Sequence, residues 1–258
     1  MSLLSLKDIG LTYFSSSGET QALDKINISI EYGEFVSIVG PSGCGKTTIL
    51  HLISGLLSPT KGEIIFDSNN TSSFIGYMFQ KDNLLEWRTI ANNVYLGLEL
   101  QGKKTKENID YANELLKKYN LWDFRDKYPR ELSGGMRQRV ALIRTLTLKP
   151  SILLLDEAFS ALDFQTRLNV CDDVYDIIKK ENLTAILVTH DLSEAISLSD
   201  RIIILSHRPA NVKEDIKLSF DKSLTPLQRR QSPLTKEYFD KIWEELKWVK
   251  HQKNINFI

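Results

Sequence analysis

The chain has 258 residues, 42% of them apolar, with 33 Lys+Arg against 33 Asp+Glu. That length and apolar content fit one large α/β domain, or a domain carrying a subdomain, and exclude global disorder. Zero formal net charge argues against a nucleic-acid binder, which needs a surplus of Lys and Arg.

The first residues, MSLLSLKDIG, lack a basic start followed by a long apolar run, so no signal peptide is expected. Phe35–Val39 is a strand-length apolar run. Gly40-Pro41-Ser42-Gly43-Cys44-Gly45-Lys46-Thr47-Thr48 follows and fits G-x-x-x-x-G-K-S/T, and a helical stretch ending at Gly55 comes next. Glycines in such a loop let backbone N–H groups converge on a phosphate, and the helix N-terminus adds a favourable dipole. Lys46 would neutralise β/γ oxygens and the Thr47 hydroxyl would hold Mg²⁺. Cys44 is a small residue there; helix N-termini lower thiol pKa, but its position accounts for it without a reactive role.

Glu63–Phe66 and Ile75–Met78 are further strands, separated by the polar turn Asp67–Ser73. From about 85 to 148 the chain is rich in helix formers, which predicts a helical insertion between two halves of an α/β domain. Inside it, Leu132–Arg139 opens a helix with Ser133 as N-cap. Ser133, Gly134 and Gly135 thus form a second anion-binding helix start, suited to a neighbour's nucleotide. Ile152–Leu155 is a buried strand delivering Asp156 and Glu157 to its C-terminal end, where α/β sheets place ligands. Asp156 would join a Mg²⁺ shell, and Glu157 would polarise a water for in-line attack on a γ-phosphate.

After Asp163, Val170, Val174, Ile177 and Ile178 share one helix face. Ala185–Val188 and Ile202–Leu205 are the last strand-length runs, and no apolar run is long enough to cross a bilayer. Two cysteines, Cys44 and Cys171, are too few for a disulfide framework and suit a reducing compartment. A cytoplasmic protein that meets a membrane only through a partner is expected. The tail from about Ser223 ends in an amphipathic helix (Tyr238, Phe239, Ile242, Trp243, Leu246), and its Phe239/Trp243/Leu246 stripe is expected to pack on its own domain rather than on a membrane surface.

These motifs, in this order, resemble the ATP-binding cassette family, and among its members the ATPase subunit of a bacterial importer. The resemblance covers residues 3–220: the loop 40–48, Gln80 after a strand, LSGGMRQR, ILLLDE, Ser160-Ala161-Leu162-Asp163, and His190 in LVTHD. It implies an α/β fold with a P-loop NTPase (RecA-like) core, a mixed or parallel sheet, an inserted α-helical subdomain and an antiparallel β edge. As one nucleotide-binding domain over 1–258, the core would take 1–84 and 149–220. The helical signature subdomain would take 85–148 and a helical tail 221–258.

The resemblance further implies ATP and Mg²⁺ as cofactors. Tyr13 would stack on adenine, with Phe14 as its competitor and a plain core aromatic as the remaining alternative. Gln80 would contact Mg²⁺ or the attacking water, Glu157 would be catalytic, and His190 would contact the γ-phosphate. Ser133–Gly135 and Asp163 would act across a head-to-tail dimer that sandwiches two ATP molecules. The implied partners are a second copy, transmembrane permease subunits and, through them, an extracytoplasmic solute-binding protein, with no nucleic acid. The implied location is the cytoplasmic face of the cell membrane. His51, His207 and His251 match nothing and read as packing or surface residues.

Met136 in the signature, Leu84-Leu85-x-Trp87 and LSHRPANV at 205–212 are similar to the nitrate/sulfonate/taurine-type group. That group includes relatives for bicarbonate and thiamine precursors. Glu86 replaces the group's usual Pro, Ala158 and Ser160 replace its Pro and Gly, and the loop Asp67–Ser73 is short. Leu84, Leu85 and Trp87 either pack into the helical subdomain or form a groove for a permease helix. The alternatives are an exporter's ATPase, against which the tail and the LLEW run argue, and a soluble cassette ATPase. One signature and no heptad insertion argue against the latter. The chain does not encode the transported solute.

Overall fold

The computed structural model describes residues 2–16, 18–67, 75–221 and 223–252, with side chains as far as Lys247. The polar turn expected at Asp67–Ser73 lies outside the described residues beyond Asp67, as does the side chain of His251. In chain order the elements are β1 (Ser2–Ser15), β2 (Gly18–Glu31), β3 (Phe35–Val39), α1 (Lys46–Ile53), β4 (Lys61–Phe66) and β5 (Ile75–Met78). The helices α2 (Ile90–Val94), α3 (Leu96–Leu100), α4 (Lys106–Lys118) and α5 (Gly134–Leu146) come next, then β6 (Ile152–Asp156) and α6 (Phe164–Lys180). Last are β7 (Thr184–Val188), α7 (Leu192–Leu198), β8 (Arg201–Leu205), β9 (Val212–Lys217), α8 (Pro226–Gln231) and α9 (Pro233–Gln252). Two compact units result: Met1–Ser73 with Asn182–Ile258, and Phe74–Glu181.

In the first unit, β3 is fully buried and apolar except for Ser37, as suits a strand covered on both faces. It pairs in parallel with β7 on one side and β8 on the other, and β9 adds an antiparallel edge to β8. An antiparallel sheet of order β2-β1-β4 accompanies it. Neither β1 nor β2 is among the strand-length apolar runs of the sequence. Register shifts between Leu6 and Ile9 and between Ile9 and Leu11 break the two-residue alternation of β1. β9 escapes notice for another reason: it buries only Ile216 and leaves its other five residues half-buried or exposed.

Ile242 of α9 is fully buried beside Val39, Ile196, Ile202 and Ile204, with Tyr238 and Leu246 packed around it. The packing line is therefore 238/242/246: of the expected Phe239/Trp243/Leu246 stripe, Leu246 packs on its own domain and Phe239 and Trp243 lie off that line. Phe239 and Trp243 stack on each other at 6.1 Å and are 39% and 42% exposed. At about 100° per residue they fall one position around the helix from the buried line.

In the second unit, β5 and β6 pair in parallel, Tyr77 opposite Leu154. α5 is the hub against which α2, α3, α4 and α6 pack. From 85 to 148 the described residues are helical or irregular and hold no strand, as the composition predicts. Gly135 is required by packing: a Cβ there would lie 3.0 Å from both Thr166 Cγ2 and Val170 Cγ2 of α6.

Candidate functional site

The loop 40–48 joins β3 to α1 as the sequence predicts, and its glycines are used for distinct reasons. Gly43 and Gly45 have φ of 73° and 120°, a region that a residue with a Cβ rarely adopts. A Cβ on Gly40 would meet Cys44 Sγ at 3.0 Å and Leu205 Cβ at 3.1 Å. The loop therefore closes tightly on itself. Lys46 is only 8% exposed, and its Nζ donates to the carbonyls of Gly40 at 2.9 Å and Pro41 at 3.0 Å. An ammonium group is thus held inside a ring of backbone at a helix N-terminus, the arrangement that favours a polyanion.

Cys44 is buried, and burial pushes its thiol up against the opposing pull of the Lys46 ammonium. Its thiol is therefore not activated by the helix start. Tyr13, near the end of β1, is 38% exposed and so is no core aromatic. Its hydroxyl is 3.1 Å from Thr48 Oγ1, which fixes the ring beside the loop. Phe14 is the more exposed of the two. Ile38 pairs with Val188 in parallel register, so Gly40 and His190, each two residues further on, leave the C-terminal ends of the two neighbouring strands together. Asp191 follows as N-cap of α7, accepting from Ser193 N at 2.8 Å and Glu194 N at 3.2 Å, which fixes the backbone next to the exposed His190.

Gln80, Ser133–Gly135, Asp156, Glu157 and Asp163 belong to the second unit. Asp156 ends β6, and Tyr77 on the neighbouring β5 donates its hydroxyl to Asp156 Oδ2 at 3.0 Å. Burial, then the Asp156 carboxylate, push the Tyr77 phenol far above its ordinary range, so it remains a donor. Glu157 has a left-handed φ of 48°. Gln80 Nε2 donates to Ser160 Oγ at 3.0 Å, and Ser160 Oγ donates to the Glu157 carbonyl at 2.9 Å. Ser133 is the N-cap of α5 as expected, its Oγ accepting from Met136 N at 3.4 Å. Asp163 caps α6, and its bond from Thr166, side chain then backbone, holds its carboxyl below the usual range.

Several partners have no local signal in the sequence. Arg137 Nε and Nη2 donate to Asp82 at 2.8 and 3.2 Å, and Nη2 also reaches Glu86 at 2.8 Å. Arg144 donates to the carbonyls of Asp82 and Asn83 at 2.7 and 2.8 Å. The segment after Gln80 is thereby riveted to α5. Burial opposes ionisation of Asp82, but the Arg137 bond and the Leu84 amide hold its carboxyl low. Of the open pair of readings for Leu84, Leu85 and Trp87, Leu84 is buried, Leu85 half-buried and Trp87 75% exposed. Only the first two pack inward.

Residues 23–160 match the model of the ABC transporter family. The chain belongs to that family. Its fold is the α/β cassette type and its activity is ATP hydrolysis. It is 43% identical over 257 residues to an uncharacterized ABC transporter ATP-binding protein, YtlC, of Bacillus subtilis (strain 168), covering 98% of this chain and 99% of that one. It is 41% identical to the nitrate import ATP-binding protein NrtD of a Synechocystis species, over 84% of this chain and 82% of that one. Identity is 39% to the aliphatic sulfonates import ATP-binding protein SsuB of Bacillus anthracis, over 86% and 89%. Among solved structures, the ATP-binding cassette MJ0796, a dimer in a post-hydrolysis state bound to ADP and Pi, superposes with a TM-score of 0.70. That match has 33% identity and covers 84% of this chain and all of the other. Among the described residues of this ABC transporter ATPase, no helix is long and apolar enough to cross a membrane.

Proposed function

We propose that this chain is the ATP-hydrolysing subunit of a bacterial importer for a small solute, an anion of the nitrate, sulfonate or taurine kind or a thiamine-precursor-like heterocycle. The observation that carries the hydrolytic part is the loop 40–48, with Lys46 enclosed by its own backbone carbonyls. The import part is supported by the nitrate and sulfonate import relatives and by the Leu84-Leu85-x-Trp87 and LSHRPANV runs.

In this reading Lys46 exchanges its carbonyl partners for β/γ-phosphate oxygens, and the loop 40–48 cradles the β-phosphate through the main-chain N–H groups of its residues other than Pro41. Tyr13 stacks on adenine. The hard oxygen donors Thr47, Asp156 and Gln80 suit Mg²⁺. When bound, Mg²⁺ would offset charge on the phosphate oxygens. Glu157 orients the attacking water and accepts its proton, and His190 holds the γ-phosphate end. Ser133, Gly134 and Gly135, at the start of α5, would face the nucleotide on a second copy of the chain, with Asp163 alongside.

ATP then favours the closed dimer because the closed state binds it more tightly than the open one. Permease subunits convert closure into transport, and the exposed Trp87 is a contact for them. The chain would work at the cytoplasmic face of the membrane, served from outside by a solute-binding protein. The testing experiment is affinity purification of the tagged chain from detergent-solubilised membranes, with partners identified by mass spectrometry. Recovery of an apolar permease and a solute-binding protein is expected. Recovery of a permease alone, or of ribosomal or repair proteins, would overturn the importer reading.

A further inference from the structure

Ser160 lies in the turn between β6 and α6, in the position where the group this chain resembles usually carries Gly. The turn has a conformational problem that Ser160 addresses. Glu157 is left-handed at φ 48°, a state that a residue with a Cβ keeps only where its surroundings hold it. Two donors do so: Ser160 N–H reaches the Glu157 carbonyl at 3.0 Å and Ser160 Oγ reaches it at 2.9 Å. With its proton committed there, Ser160 Oγ accepts from Gln80 Nε2 at 3.0 Å. The Gln80 main-chain carbonyl in turn accepts from Gln138 Nε2 of α5 at 3.4 Å. Ala158 and Phe159, between Glu157 and Ser160, are fully buried, so the turn cannot slide to relieve the loss of a bond.

We propose that Ser160 is a positioning residue for hydrolysis, whose hydroxyl fixes the Gln80 amide and the Glu157 backbone in one arrangement. It rests on the reading of Gln80 and Glu157 as catalytic residues. Engaging the amide nitrogen of Gln80 leaves its oxygen as the acceptor group for a water or a hard cation. A glycine at 160 could keep the main-chain bond to Glu157 but would supply neither side-chain bond.

The test uses the purified full-length chain and the variants S160A, S160T, Q80A, S160A/Q80A and E157Q. S160A is expected to lower kcat about tenfold, about 1.4 kcal/mol in the barrier. KM for ATP and the Kd of a fluorescent ATP analogue should stay within about twofold, because only the reacting arrangement is disturbed. S160T, which keeps the hydroxyl, should turn over near the native rate, and S160A/Q80A should be little slower than Q80A alone. Native kcat in S160A with E157Q inactive would overturn the proposal. So would independent, multiplying losses in the double variant, an S160T as slow as S160A, or a fall in nucleotide affinity that matches the fall in kcat. Native turnover in E157Q would instead overturn the reading of Glu157, and the proposal with it.

Discussion

Gly45→Ala tests how the phosphate-binding loop is held shut. Gly45 has φ 120° and ψ 14°, and a Cβ there would lie 2.8 Å from Leu23 Cδ2. Leu23 cannot retreat easily. It is fully buried, and its neighbours are pinned to Ala210 by bonds of 2.9 Å (Ala210 N to Ala22 O) and 2.8 Å (Asp24 N to Ala210 O). The backbone conformation costs about 1–3 kcal/mol for a residue with a Cβ, and crowding a pinned neighbour adds about 1–3 kcal/mol.

Gly43→Ala is the internal control, because Gly43 also has positive φ but nothing lies within 4 Å of its added Cβ. It should cost only about 1–2 kcal/mol. At roughly 2–4 °C per kcal/mol for a chain near this size, G43A should melt about 2–8 °C below the native chain and G45A about 4–24 °C below it, always the lower of the pair. Scanning calorimetry measures the first quantity. Titration with a fluorescent ATP analogue measures the second, the binding that G45A should lose. If G45A melts within about 2 °C of G43A, Leu23 yields and the packing argument is wrong.

Tyr77→Phe removes the donor to Asp156 and should raise the Mg²⁺ concentration for half-maximal ATPase by about tenfold or more, since one hydrogen bond to a charged group is worth about 1.5–3 kcal/mol; an unchanged Mg²⁺ titration would count against it. Asp82, held low chiefly by Arg137 against its burial, has an ordinary value of 3.8. Its pairing therefore stabilises the fold fully above that pH and is lost as pH falls through the lower folded value. Asp82→Asn should destabilise the chain at neutral pH and flatten its stability loss below pH 3.8, and urea melts that keep the native acid slope would refute this. Cys44 and Cys171 are both buried, and burial pushes the Cys44 thiol up. Iodoacetamide should therefore label neither in the folded chain at pH 8 and both in urea, and rapid native-state labelling of Cys44 by peptide mass spectrometry would contradict the structure.

The elements legible in the sequence are those whose cause is local. β3, β6, β7 and β8 are short, mostly apolar runs because both their faces are covered. The loop 40–48 and the start of α5 announce themselves because glycines, a lysine and a capping hydroxyl must be spaced along one backbone to hold an anion.

What only the tertiary structure decided are relations between distant residues. The bulges of β1 depend on the register it adopts with β2 and β4, so its alternation is broken before any partner is known. Which line of α9 faces inward was set by the pocket that receives Ile242, not by the hydrophobicity of Phe239 and Trp243. Burial of the Cys44 thiol depends on how tightly the loop closes, with Leu205 lying against Gly40. Ser160 meets a glutamine 80 residues away, and Arg137 meets Asp82 across 55. Hydrogen bonds over such separations leave no periodicity in either segment, because each end is chosen by the packing that brings it to the other.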